Sequence, residues 1–229
     1  MRLKKIAFLL SAIAVAVTGA VAPQANAVRG GHDVSPDDKK AQNIVIVGGC
    51  TGTVISPHWV LAAKHCFREG KHPMPITAGI DKKGGRKGSQ ETFYAPSGDI
   101  SLVRMSMYSA FDFDSYPQLA SESPQAGQTG TFYGWDNRAH NYLQQSTAEV
   151  QGSYQDGSYS NGKMFVVHHQ DGAYSKPGDS GGPLFIDGKL AGVASAISGN
   201  GVPLNLADVA AQKEWIAEKL ATTGDTANF

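Results

Sequence analysis

From Ile44 onward the chain is written in short apolar or alternating runs broken by turn residues, a pattern that predicts β-strands throughout. Ile44 to Val47, Thr51 to Ser56, Trp59 to Ala62, Ile76 to Ala78, Glu91 to Tyr94 and Leu102 to Met105 read as one set of strands. Thr131 to Trp135, Gln144 to Val150, Met164 to Val167, Leu184 to Ile186 and Leu190 to Val193 read as a second. Ser121 to Gly127, rich in Ser, Pro and Gly, has the composition of the crossover between them. One helix is expected, about 209–221, where Val209, Ile216 and Leu220 share a face and Trp215 sits beside them. Thr222 onward is expected to fray. Gly152-Ser153-Tyr154 and Gly157-Ser158-Tyr159 repeat a turn-like triplet and read as mobile surface loop.

The first 27 residues stand apart. Met1-Arg2-Leu3-Lys4-Lys5 is a basic start, Ile6 to Ala20 is apolar, and Ala25-Asn26-Ala27 is a small-x-small cleavage signal, together the description of a secretory leader. A membrane anchor is the alternative, but the apolar run is short and ends in a region containing Pro23. The 20 basic and 20 acidic residues of the whole chain balance; losing Arg2, Lys4 and Lys5 leaves residues 28–229 net acidic, which argues against nucleic acid as a partner. An apolar content of 41% suits one globular unit with a core, and no later segment is apolar enough to span a bilayer.

Three fragments carry chemistry: Ala62-Ala63-Lys64-His65-Cys66, Gly98-Asp99-Ile100-Ser101-Leu102 and Gly178-Asp179-Ser180-Gly181-Gly182-Pro183. A serine hydroxyl attacks a carbonyl only with a base beside it and a third group holding that base in the right tautomer. His65, Asp99 and Ser180 supply all three. Asp81, Asp112 and Asp114 compete for the third role but lack the Asp-Ile-x-Leu context of Asp99. Gly178-x-Ser180-x-Gly182 also fits the nucleophile elbow of α/β-hydrolases, whose histidine follows the serine. All 7 histidines here precede Ser180, which removes that fold.

The order His65, Asp99, Ser180 resembles that of the trypsin/chymotrypsin-like serine proteases, in a compact bacterial form. Cys50-Thr51-Gly52-Thr53-Val54-Ile55-Ser56, Trp59-Val60-Leu61-Ala62-Ala63, Gly134-Trp135 and the terminal Trp215-Ile216 fall in family order around the three fragments. The resemblance implies an all-β fold of two six-stranded antiparallel Greek-key β-barrels with a C-terminal α-helix. Barrel one would span about 28–120, barrel two about 121–208 and the helix about 209–221. It further implies a secreted, extracellular serine endopeptidase without cofactor or metal, a monomer acting on protein or peptide substrates, with no membrane attachment once the leader is removed. Gly178 and Ser180 would supply the oxyanion-hole N–H groups. Cys50 and Cys66 would be joined in a disulfide holding His65 in place.

In such enzymes a new α-amino group folds inward onto the aspartate before the nucleophile, here Asp179. Ile46-Val47-Gly48-Gly49 matches the usual family N-terminus but lies too near His65. Val28-Arg29-Gly30-Gly31 sits at the family interval and directly follows Ala27, so signal peptidase itself is expected to expose the Val28 amine.

Specificity departs from the best-known relatives. Tyr174 stands where trypsin-like enzymes carry an aspartate at the pocket base, next to Ser175. Leu204 and Ile197 stand at wall positions usually held by glycine, and Ser195, Ala196 and Ile197 would form the strand that pairs with substrate. The expectation is a shallow pocket for small aliphatic residues. A glutamate preference is disfavoured because Ala194 replaces the histidine of such enzymes. The competing readings are a non-catalytic binding protein on this scaffold and a narrow-specificity, toxin-like processing factor. His168 and His169 are adjacent in a strand, point to opposite faces and do not suggest a shared metal. Lys82 to Gly88 reads as an exposed basic hairpin loop.

Overall fold

The computed structural model describes residues 28–67, 74–136 and 141–229; the expected leader lies outside the described residues. After β1 (His32–Asp33), strands β2 (Ile44–Val47), β3 (Cys50–Ser56), β4 (Trp59–Ala62), β5 (Pro75–Thr77), β6 (Arg86–Tyr94) and β7 (Ser101–Met105) form a closed antiparallel barrel. Its order is β2-β3-β4-β7-β6-β5. The second barrel comprises β8 (Thr129–Gly134), β9 (Gln144–Asp156), β10 (Gly162–His169), β11 (Pro183–Ile186), β12 (Lys189–Ile197) and β13 (Pro203–Asp208). They run β9-β10-β13-β12-β11-β8 and close through β8–β9, with β1 added on β9. Read from the first strand of each barrel, the two orders are the same: three neighbours in sequence order, then the last three reversed.

Strand β4 shows how one short run serves two interiors. Its side chains alternate across the sheet, so Val60 and Ala62 fill barrel one with Val45, Val47, Val54 and Val103. Trp59 and Leu61 point the other way, into a cluster with Ile44, Ile55, Ile100 and Leu102 that lies between the barrels. Tyr133, Trp135, Met164 and Phe185 reach the same cluster from barrel two, whose own interior holds Phe132, Phe165, Leu184 and Leu206. Because β4 is buried on both faces, its sequence Trp-Val-Leu-Ala is continuously apolar.

The C-terminal helix α1 (Lys213–Ala221) follows a 3-10 turn at Ala210–Gln212 and buries Ile216 and Leu220 in the central cluster. The segment after it is docked, not frayed. Trp59 Nε1 donates to Thr223 Oγ1 at 2.7 Å, Ser56 Oγ donates to Asp225 Oδ2 at 3.0 Å, and the Leu119 N–H donates to Asn228 O at 2.6 Å. Polar side chains and main-chain groups, invisible to apolar periodicity, hold this tail.

The Gly-Ser-Tyr repeat also corrects the reading of a mobile loop. Gly152-Ser153-Tyr154 lies inside β9, paired with β10, and Gly157–Tyr159 is a 3-10 turn tied to barrel one, where the Gly98 N–H donates to Tyr159 O at 2.8 Å. Arg86 to Gly88 likewise belongs to β6, pairing with Thr77 to Pro75, so the basic run is part turn and part strand.

Candidate active site

His65 and Asp99 meet because β4 and β7 are antiparallel neighbours with Ala62 opposite Ser101. That register places the residues just after β4 beside those just before β7. Buried Ser101 reinforces the junction, its hydroxyl within reach of the carbonyls of Ala62 and Ala63 at 3.2 and 3.3 Å. His65 sits on the 3-10 turn Lys64–Cys66, and a disulfide links Cys66 to Cys50 at the start of β3. Both sulfurs of the Cys50, His65, Cys66 group are thereby spent on a covalent bond and are not thiolate ligands.

Asp99 is fully buried. His65 Nδ1 lies 2.6 Å from Asp99 Oδ2, the His65 N–H donates to Oδ1 at 2.9 Å, and Ser195 Oγ donates to Oδ2 at 2.5 Å. Burial pushes the carboxyl up, but the His65 ring, the Ser195 hydroxyl and the His65 N–H outweigh it and hold Asp99 below the usual carboxylate value. An ionised Asp99 makes Nδ1 the protonated nitrogen of the ring and leaves Nε2 as the open position. The Tyr159 phenol faces the same carboxylate and the Ser195 hydroxyl; burial, then the Asp99 charge, push it up.

Ser180 belongs to the tight loop before β11. Thr51 on β3 anchors that loop to barrel one: its N–H donates to Ser180 O at 2.8 Å and its hydroxyl to Gly178 O at 2.9 Å. The same hydroxyl accepts from the Trp135 N–H at 3.1 Å. Gly181, at φ +81°, packs so close that a Cβ there would meet Thr51 O at 2.1 Å, which explains the glycine following the serine. Among the described residues no hydrogen bond joins Ser180 Oγ to His65 Nε2, which lies 3.9 Å from Cys66 Sγ. Nor does a protein acceptor engage the N–H groups of Gly178 or Ser180. The Ser180 loop, through Thr51, and the His65 turn, through the Cys50–Cys66 bond, are thus both tied to β3, with the Ser180–His65 bond not made.

Asp179 is buried beneath this loop, accepting from the Lys176 N–H at 2.8 Å and the Asp136 N–H at 3.0 Å. Burial pushes its carboxyl up to about 7 against those two donors, and the neighbouring Asp136 charge adds to the rise. Val28 is fully buried, and the segment it begins is bridged to the pocket loop through Arg29 and Tyr174. The alternative N-terminus Ile46-Val47 is paired on both sides within barrel one.

The residues expected to contact substrate are split. Beyond Ala194, whose N–H and carbonyl still bond Gly182 and Gly181, β12 pairs only with β13, so Ser195, Ala196 and Ile197 have an open edge, and Ile197 is 38% exposed. Leu204 is buried in the interior of barrel two. Ser175 is buried too, and its hydroxyl contacts His169 Nε2 at 2.6 Å, whose Nδ1 contacts Ser146 Oγ at 2.9 Å. This second histidine–serine group has no carboxylate partner among the described residues. Burial lowers His169 to about 4, so the ring is neutral near pH 7. His168, on the opposite face of β10, is half-buried.

Sequence reasoning assigned Ser195 to the substrate strand and missed its hydrogen bond to Asp99. It also missed Thr51 and Tyr159. A polar residue closing an apolar strand was the available signal for Ser195; nothing in the sequence flags the other two.

The family model described as Trypsin matches residues 28–216. An uncharacterized peptidase of Corynebacterium glutamicum is 27% identical over 207 residues, 80% of this chain and 69% of the relative. Trypsin of Squalus acanthias is 29% identical over 168 residues, 64% of this chain and 73% of the relative. Among solved structures, mouse neuropsin, a serine protease, superimposes with a TM-score of 0.69 at 21% identity, over 83% of this chain and 98% of that one, a likeness of fold. Two barrels of one topology enclosing a His–Asp pair and a GDSGGP loop define a chymotrypsin-like serine endopeptidase. The chain belongs to the trypsin family.

Proposed function

We propose that residues 28–229 are a secreted serine endopeptidase with His65, Asp99 and Ser180 as its catalytic triad. The observation that carries this is the fully buried Asp99 carboxylate on His65 Nδ1 at 2.6 Å, facing a Ser180 loop anchored to the same barrel by Thr51. Of the two histidine–serine groups, only this histidine has a carboxylate to fix its tautomer.

His65 Nε2 takes the Ser180 proton as the hydroxyl attacks the peptide carbonyl and returns it to the leaving amine. Rotation of the ring, whose side chain is 33% exposed, brings the two atoms together when substrate binds. The oxyanion is met by the N–H groups of Gly178 and Ser180, a contribution of about 3–4 kcal/mol per donor. Water then hydrolyses the acyl-enzyme. The substrate backbone adds to the open edge of Ser195–Ile197. The preference proposed is for a small aliphatic side chain before the scissile bond, supported by Tyr174 in place of a pocket-base aspartate and by Leu204 and Ile197 in place of wall glycines.

Maturation at Val28 completes the site. Cleavage after Ala27 frees an α-amino group at a buried position, and its ammonium pairs with Asp179, which stabilises the loop carrying the oxyanion donors.

The experiment is to secrete the protein, sequence its N-terminus and challenge it with casein, a peptide library and a serine-directed phosphonate. The expected result is a start at Val28, phosphonate on Ser180 and cleavage after small aliphatic residues, all cleavage being abolished in Ser180→Ala. Undiminished cleavage by Ser180→Ala rejects the triad, and a dominant Arg or Lys preference rejects the pocket. Labelling without casein digestion would select the narrow-specificity reading.

A further inference from the structure

Two carboxylates lie buried side by side at the end of β8, Asp136 at 6% exposure and Asp179 at 1%. Each Asp179 oxygen accepts a backbone N–H, from Asp136 and from Lys176. Asp136 Oδ2, also buried, has no hydrogen-bond partner among the described residues. Among the described residues the cation paired with it is Arg29, its Nε 4.0 Å away, at the limit of an ion pair and beyond a hydrogen bond. An orphaned carboxylate oxygen beside a second carboxylate is an arrangement that proteins do not keep without a cation to face.

The segment before it is held in place yet strained. The Tyr174 N–H donates to Arg29 O at 2.8 Å and the Gly31 N–H to Val28 O at 2.7 Å. Val28, β-branched and fully buried, has φ +38°, a region such residues avoid. That torsion is set by the carbonyl of the preceding residue. A chain that begins at Val28 has no such carbonyl, and the strain disappears with it.

We infer that Asp136 is the second acid of a two-acid socket for the processed amino terminus: the Val28 α-ammonium pairs with Asp179 while the Arg29 guanidinium closes onto Asp136. Two consecutive residues thus bring two cations to two buried carboxylates. This rests on cleavage before Val28. Asp136 and Arg29 are positioning residues, acting on the oxyanion donors through Asp179 and its loop. Among the described residues, the Lys176 ammonium lies 4.9 Å over the Tyr174 ring, and that of Lys82, from the β5–β6 turn, 5.4 Å over the Trp135 ring.

The test uses the secreted, processed enzyme and the variants Asp136→Asn, Arg29→Gln and the double variant, each first checked by mass spectrometry for its N-terminus. Two readouts follow pH: the alkaline limb of kcat/KM, and the rate at which cyanate carbamylates the α-amine, which needs no activity. Removing the acid makes the socket more positive, so the ammonium gives up its proton sooner and both transitions move to lower pH. Removing the cation moves them to higher pH. The double variant returns near the parent.

Each shift is expected to be about half a pH unit, roughly threefold in rate at a fixed pH on the limb. A merely structural role cannot produce opposite signs. If Asp136→Asn fails to fold, Arg29→Gln, at a side chain 44% exposed, still gives the answer by its own direction. A Val28 start with coincident transitions in all proteins overturns the two-acid socket and leaves the maturation site standing. A mature protein beginning elsewhere overturns both.

Discussion

Asp99 shows how a buried charge is kept. With no access to water, its carboxylate relies on the His65 ring, the His65 N–H and the Ser195 hydroxyl to offset desolvation. Ser195→Ala removes one of these donors and leaves the charge in place. A hydrogen bond to a charged group contributes about 1.5–3 kcal/mol, so melting should show a loss of that order, and kcat should fall roughly tenfold with KM little changed. Wild-type kcat in Ser195→Ala would show that the other two donors suffice. His169 makes the opposite case, a buried group kept neutral. Its value is lowered from 6.5 to about 4, so between those values the unfolded chain binds the proton and the folded chain does not. Stability from this residue is complete above pH 6.5 and is lost as pH falls towards 4, by about 3 kcal/mol in all. His169→Gln should flatten that part of the melting-temperature profile; an unchanged acid slope would assign the loss to other groups.

At the scale of elements, register and backbone approach place the site. Gly162, at the start of β10, lies against the residue preceding Asp99, and a Cβ there would stand 2.0 Å from the Gly98 nitrogen. Gly162→Ala must therefore push the two barrels apart beside Asp99. Overpacking of this kind costs about 1–3 kcal/mol, and here a drop in kcat larger than the stability loss explains is expected. Parallel melts and kinetics would expose a purely global effect. Strand boundaries were readable where a short run is apolar throughout: β2 and β4 agree residue for residue with the expected segments. β6 and β9 run further than expected, through Arg86–Gln90 and Gln151–Asp156, because those portions are polar on both faces and carry no period-two signal.

The whole molecule is tied together by its last residues, which leave barrel two and dock on barrel one. Asp225 accepts from the Ser56 hydroxyl and the His58 N–H and contacts the His58 ring, and Thr223 caps the Trp59 indole. Removing residues 222–229 leaves these groups unpartnered and uncovers the central cluster, on which Ala227 and Phe229 also pack. At about 1 kcal/mol per lost hydrogen bond, a stability loss of at least about 3 kcal/mol is expected, with Asp225→Asn losing less than half of that. A truncated protein melting with the full chain would show the tail to be ornamental.

Short apolar or alternating runs determined that this chain is built of strands, and the order of one histidine, one aspartate and one serine determined which two-barrel family it joins; both can be read along the chain without knowing which residues touch. Packing across the seam decided the rest. That Ser195 and Tyr159 face Asp99, that Thr51 anchors the Ser180 loop, and that Asp136 stands buried beside Asp179 depend on residues far apart in sequence, whose contacts exist only once both barrels have closed.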